Sequence, residues 1–195
     1  MHNTHKTGAY WSNINGLEER ENCATCNTTE SMSHILTECR EQTTQQIWDL
    51  AQNTWPYPNI PWPEPNLGII LGCGSINPES RNDQRNNQQR NRRKTLPGPT
   101  RLLQIILSES AYLTWVLRCE RVIQEKTLHE SEIKGRWLRV INERLTINKI
   151  TATKTKRNNG FTNLIVNTWE QILEKERELP PNWINQSEVL VGRTT

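Results

Sequence analysis

Four candidate metal ligands, Cys23, Cys26, His34 and Cys39, fall within seventeen residues in the spacing Cys-x2-Cys-x7-His-x4-Cys. Two cysteines separated by two residues can face one ion from a tight turn. A second pair from a nearby segment completes a tetrahedron. Three thiolates and an imidazole suit Zn2+, which accepts four soft or borderline ligands and imposes no geometry of its own. The alternatives are reduced, buried thiols or coincidence. In a chain with only five cysteines and four histidines, coincidence is a poor account. Four protein ligands leave no open position for water, so the expected ion is single and structural. It would contribute on the order of 10 kcal/mol to local folding, and the unit should be unfolded without it. His2 and His5 lie close enough in sequence to compete as ligands.

A disulfide framework is the weaker reading. The cysteine count is odd, and the opening MHNTHKTGAYW lacks the apolar stretch of a secretory signal. Both point to a reducing compartment, nuclear or cytoplasmic and not secreted. Cys73 and Cys119 each sit alone in apolar sequence and read as buried free thiols.

The elements that must position the ligands follow from local pattern. His34 and Cys39 are about 500° apart on an ideal helix, not on one face. A short helical turn is expected around Ile35 and Leu36, loosening before Cys39. Those two residues should pack against the next helix, TTQQIWDLAQNTW, which carries Trp48 and is capped by Thr43 or Thr44. PYPNIPWPEP then reads as an extended connector, or as a ligand for an aromatic-lined groove. LGIILGCG is a strand or a single buried turn. RLLQIILSESAYLTWVLRCERVIQ is the strongest helix, with Leu102, Ile106, Leu113, Val116 and Ile123 near one face, widened by Leu103, Leu117 and Tyr112. A second long helix should start at Thr127 in a capping box with Glu130, burying Ile133, Trp137, Val140 and Ile141. His129 should be a surface residue near its start. A third helix, roughly 161 to 178, should bury Leu164, Ile165, Trp169 and Ile172. EVLVG reads as a short strand. Trp48, Trp115, Trp137 and Trp169 read as core anchors.

The expected fold class is mainly α: a small N-terminal CCHC knuckle followed by a helical core of about three to four helices, with a long disordered basic loop. Four regions result. Residues 1–42 hold a polar, tail-like lead-in and the zinc unit, 43–76 a helix and the proline-rich connector, 77–100 the Asn/Arg-rich loop, and 101–195 the helical domain. The hydrophobic fraction is 33%, so much of the chain must be polar loop or surface. No apolar run is long enough to span a bilayer, and no membrane partner is expected.

Charge is uneven, although the net value is only +3. Arg81, Arg85, Arg90, Arg92, Arg93 and Lys94, with Arg101 just after, could follow the phosphates of RNA or DNA, or form a solvated tether. Lys154, Lys156 and Arg157 could add to them. Trp11 is a candidate stacking platform, a contact worth roughly 1–3 kcal/mol per base. No credible catalytic set accompanies these cations. Two-metal polymerase and nuclease sites need clustered carboxylates. The only aspartates are Asp49 and Asp83, on different segments. The glutamates lie among Lys and Arg on expected helix surfaces. There is no phosphate-binding P-loop, and the order of Cys and His is wrong for a zinc deaminase.

The same residues resemble the zinc-binding region at the C-terminal end of non-LTR (LINE-like) retrotransposon reverse transcriptases. The shared pattern is Cys23 and Cys26, Glu30-Ser31, His34-Ile35-Leu36, Cys39, and Trp48 on the next helix. Gly8-Ala9-Tyr10-Trp11 looks like the family's aromatic lead-in. RLLQIILSESAYLTWVLRCERVI and LPPNWINQSEVLVG look like the helical tail of fungal members, in which an RNase H domain often lies upstream. The resemblance implies the terminal portion of such a polyprotein. Its role would be to bind RNA or single-stranded DNA for the upstream reverse transcriptase and RNase H domains, without catalysis of its own. A structural module docking on that polymerase and a decayed retroelement fragment are the alternatives.

Overall fold

A computed structural model describes residues 6–78, 96–155 and 159–192. The fold is mainly α, as the sequence indicates. Among the described residues there are six α-helices: α1 (Gly8–Trp11), α2 (Gln42–Thr54), α3 (Leu67–Leu71), α4 (Pro97–Gln124), α5 (Glu130–Lys154) and α6 (Asn159–Trp169). No helix among these residues is long and apolar enough to cross a membrane. Residues 79–95 of the expected Asn/Arg-rich loop, and with them Arg81, Arg85, Arg90, Arg92, Arg93 and Lys94, lie outside the described residues. So do His2, His5, Asp83, Lys156 and Arg157. The last residues of that expected loop, 97–100, are instead the first turn of α4, with proline at the start, where a missing amide donor costs nothing.

Long helices α4 and α5 form the frame, and their inward stripes make the core. Leu102, Leu103 and Ile106 from α4 meet Ile133, Trp137, Ile141 and Leu145 from α5, with Ile165 and Trp169 from α6 and Ile47 and Ala51 from α2. Each leucine or isoleucine among them, withdrawn from water, contributes about 1.5–3 kcal/mol. The Trp137 indole is paired inside this core, donating to Ser110 Oγ at 3.0 Å, whereas the Trp169 indole nitrogen is buried without a partner among the described residues. Gly98 allows α4 to lie on α6, because a Cβ there would sit 2.4 Å from the Asn167 carbonyl oxygen. One core cluster runs from Ile47 to Val191 and so crosses the boundaries placed at 76 and 100. The proline-rich connector joins it: Trp55 and Ile60 are buried, and the Trp55 indole donates to the Ile60 carbonyl at 2.8 Å.

Several local expectations are revised. The cap of α2 is Glu41, not Thr43 or Thr44; its carboxylate accepts from the Thr43 amide at 2.8 Å. In LGIILGCG, Leu67–Leu71 forms the short α3, capped by Asn66, and Cys73–Ser75 follows as a single 3-10 turn. Helix α5 starts at Glu130 instead of Thr127. His129 supplies the N-cap with its ring, and Glu132 completes the reciprocal pair. Helix α6 ends at Trp169, well short of residue 178, where Gln171 takes a left-handed backbone. EVLVG contributes one isolated bridge, Val191 to Leu173. Tyr112 and Ile123, placed on the apolar stripe of α4, are 64% and 69% exposed. Trp48 and Trp115 are half-buried, as are Cys73 and Cys119, while Trp137 and Trp169 are fully buried as expected. Residues 6–22 are no loose tail: the Gly8 amide donates to the Glu30 carbonyl at 2.8 Å, and the Glu30 amide to the Glu21 carbonyl at 2.9 Å.

Candidate metal centre

The first two ligands come from a tight turn. The Cys23 amide donates to the Thr28 carbonyl and the Asn27 amide to the Cys23 carbonyl, both at 2.8 Å. Asn27 closes the turn with φ of 52°, a left-handed conformation that asparagine tolerates better than most side chains. The second two come from one turn of π-helix, His34–Glu38. The turn begins under Ser31, whose Oγ accepts from the His34 amide at 3.0 Å. It closes when the Cys39 amide donates to the His34 carbonyl at 2.8 Å. The expected loosening before Cys39 is therefore a widening. A ring closed between residues five apart brings both ends to one side of the turn, as an α-helical ring would not.

The four ligand atoms converge, all within 4.8 Å of one another. Cys39 Sγ lies 3.7 Å from Cys23 Sγ and 3.9 Å from Cys26 Sγ. A tetrahedral ion with metal–sulfur bonds near 2.3 Å requires sulfur atoms about 3.8 Å apart. Cys23, His34 and Cys39 are buried and Cys26 is half-buried. His34 Nε2 is buried without a hydrogen-bond partner, while Nδ1 sits 3.4 Å from Thr28 Oγ1. A hydroxyl beside one ring nitrogen and an unpartnered nitrogen on the other side is the arrangement of a histidine prepared for a metal. The residues therefore fit one structural ion.

The thiols are electrostatically unequal. The Arg40 amide, 3.3 Å from Cys26 Sγ, is the main cause holding Cys26 below the ordinary thiol value. Burial pushes Cys23 up, but the neighbouring His34 ring and the Cys26 and Thr25 amides outweigh it, and the net shift is downward. Burial pushes Cys39 up to about 12.

The centre is seated on the helical core from two sides. Ile35 and Leu36 form a buried cluster with Ala111 of α4, flanked by Met32, Trp48 and Trp115. The Trp48 indole donates to the Leu36 carbonyl at 2.7 Å. Beside this cluster, Glu30 makes a buried ion pair with Arg118 of α4, and Arg118 lies over the Trp115 ring at 5.8 Å. The sequence marks Glu30 as part of a motif but gives no sign of Arg118 or Thr28.

The remaining candidates are placed apart from the ligands. Trp11 is half-buried on α1, its indole donating to the Lys6 carbonyl at 3.1 Å and Arg20 lying over its ring at 5.7 Å. Arg101 is half-buried on α4, bonded to Asn148 of α5. Asp49 lies exposed on α2. No protein-family model, curated protein or solved structure matches the chain.

Proposed function

We propose that the chain is a zinc-binding, non-catalytic nucleic-acid-binding module, an accessory to a retroelement reverse transcriptase and RNase H encoded upstream, working in the nuclear or cytoplasmic compartment. The observation that carries this reading is the part taken by the motif residues. Cys23, Cys26, His34 and Cys39 converge. The other residues of the resemblance supply what surrounds them: Ser31 starts the π turn, Ile35 and Leu36 pack it, and Trp48 ties it to α2. Three sulfurs and one imidazole select zinc over harder ions. Zinc fixes the N-terminal unit on the helical core and supplies no reaction. Zinc knuckles commonly present side chains and amides to unpaired bases. The phosphates would be met by Arg81, Arg85, Arg90, Arg92, Arg93 and Lys94, with Trp11 offered to a base.

Titration of the zinc-loaded chain with single-stranded RNA and DNA across a range of salt tests the reading. Affinity should fall with salt by about 0.7 in log–log slope for each phosphate contact. Replacing the arginines of the 81–93 segment by Gln should flatten that slope. Absence of binding at low salt would overturn nucleic-acid binding and leave a zinc-folded docking module.

A further inference from the structure

Polar side chains also converge away from the ligand set. A cleft of about 300 Å³ lies between α4 and α5, and its walls carry Arg101 and Arg144. Arg101 sends Nε and Nη2 to Asn148 Oδ1 at 3.3 and 2.8 Å. Asn148 is 5% exposed, and its own amide group is fixed by donating to the Arg144 carbonyl at 2.8 Å. Its oxygen can therefore only face the guanidinium.

Asn148 is a neutral acceptor, so Arg101 keeps its full charge in a partly dry place. Among the described residues no carboxylate pairs with it. Burial, and then the like charge of Arg144, disfavour its charged form. Arg144 has one counter-charge, Glu109, with Nε 2.5 Å from Oε1. These three side chains leave one positive charge uncompensated. A guanidinium carries five N–H donors, and Asn148 engages only two of Arg101's. A charge partly withdrawn from water and without a counter-charge carries a cost, and an anion entering the cleft would relieve it.

We infer that this cleft takes a phosphate group of bound nucleic acid, an inference that rests on the function proposed above. Arginine recognises phosphate through two parallel N–H bonds, and Arg101 is held with its outer donors free to do so. The cleft is at the small end of ligand-pocket sizes, sufficient for a phosphate and the sugar that carries it. Its position also suits the role. Asn77 Oδ1 lies 3.4 Å from Thr100 Oγ1, and Gln104 Nε2 donates to the Gly74 carbonyl at 3.3 Å. Chain on the near side of the basic segment thus runs along the same turns of α4 that carry Arg101.

The test uses the full zinc-loaded chain, with arginine Nε–H signals followed by NMR during titration with inorganic phosphate and, separately, a single-stranded oligonucleotide. Both should move the Arg101 and Arg144 signals saturably. Arg101→Gln, with zinc content and helical signal intact, should lower the salt slope of oligonucleotide binding by about 0.7. Arg101→Lys should recover only part of the affinity, because it restores charge without the fork. An oligonucleotide that binds with an unchanged slope in Arg101→Gln overturns the inference and leaves the proposed function standing. Signals that move with inorganic phosphate alone overturn the nucleic-acid source and assign the cleft to free phosphate. Signals unmoved by either ligand overturn the site altogether. Wild-type chain that binds no oligonucleotide overturns the function itself, and the phosphate arm then decides the cleft independently.

Discussion

Glu30, between the two halves of the ligand set, forms a buried ion pair with Arg118 on the longest helix, with Arg118 Nε 3.4 Å from Oε1. Both side chains are less than a tenth exposed. The pair joins the metal centre to α4 by charge, where Ile35 and Leu36 join it by packing. Truncating one partner strands the other in a dry place, at about 3–5 kcal/mol. Glu30→Ala and Arg118→Ala should each lose stability on that scale in urea unfolding at saturating zinc. Glu30→Leu with Arg118→Met should recover much of the loss. Single variants within about 0.5 kcal/mol of the parent would show a pair screened by water.

Metal removal should act locally. The segment from Cys23 to Cys39 has little core of its own, and a structural zinc supplies on the order of 10 kcal/mol to such a unit. The α4–α5 frame holds the main core without it. Chelation should therefore leave most of the helical circular-dichroism signal in place. The bond from the Trp48 indole to the Leu36 carbonyl should be lost, shifting tryptophan emission to the red. Trp48→Phe should remove much of that shift. Complete loss of helical signal on chelation would show that the core depends on the ion.

The α4–α5 junction predicts a specific acid response. Arg136, hydrogen-bonded to Glu120 at 2.5 and 2.7 Å, is the main cause holding the Glu120 carboxyl below its usual 4.5. A depressed folded value contributes stability above pH 4.5, and that contribution is lost as pH falls through the folded value. Both partners are partly exposed, so the effect is small. Glu120→Gln should be less stable than the parent at pH 7, and the gap should close as acidification below pH 4.5 protonates the folded carboxyl. A gap independent of pH in paired urea titrations would assign the loss to packing instead of charge.

Much of the ligand set was legible because its information is local. Cys-x2-Cys implies a turn, and Ile35, Leu36 and Trp48 are apolar at positions that can reach one another. What was not legible depends on distant partners or on competition between caps. Arg118 is 88 residues from Glu30, and nothing near either residue in sequence reveals the pair. Arg101 was selected for its charge, but its place opposite Arg144 and Asn148 comes from the crossing of α4 and α5. Thr127 and Glu130 have capping-box spacing, yet His129 and Glu132 have it too, and the imidazole wins. Ile123 fits the stripe of α4 by period, but it lies one residue from the helix end, where the core no longer covers the face.

The π turn between His34 and Cys39 gives the site an asymmetric tolerance to changes in length. An ordinary α turn brings residues four apart back to within about 40° of each other. The wider turn absorbs one further residue and keeps the same facing relation. Losing a residue between His34 and Cys39 would let the segment relax to an α turn with its ligands still convergent. Gaining one would carry Cys39 about 120° out of line on an α-helix, with no hydrogen-bonded ring in common use to bring it back. At this point in the chain a deletion is the mild lesion and an insertion the severe one, the reverse of what holds in most surface loops.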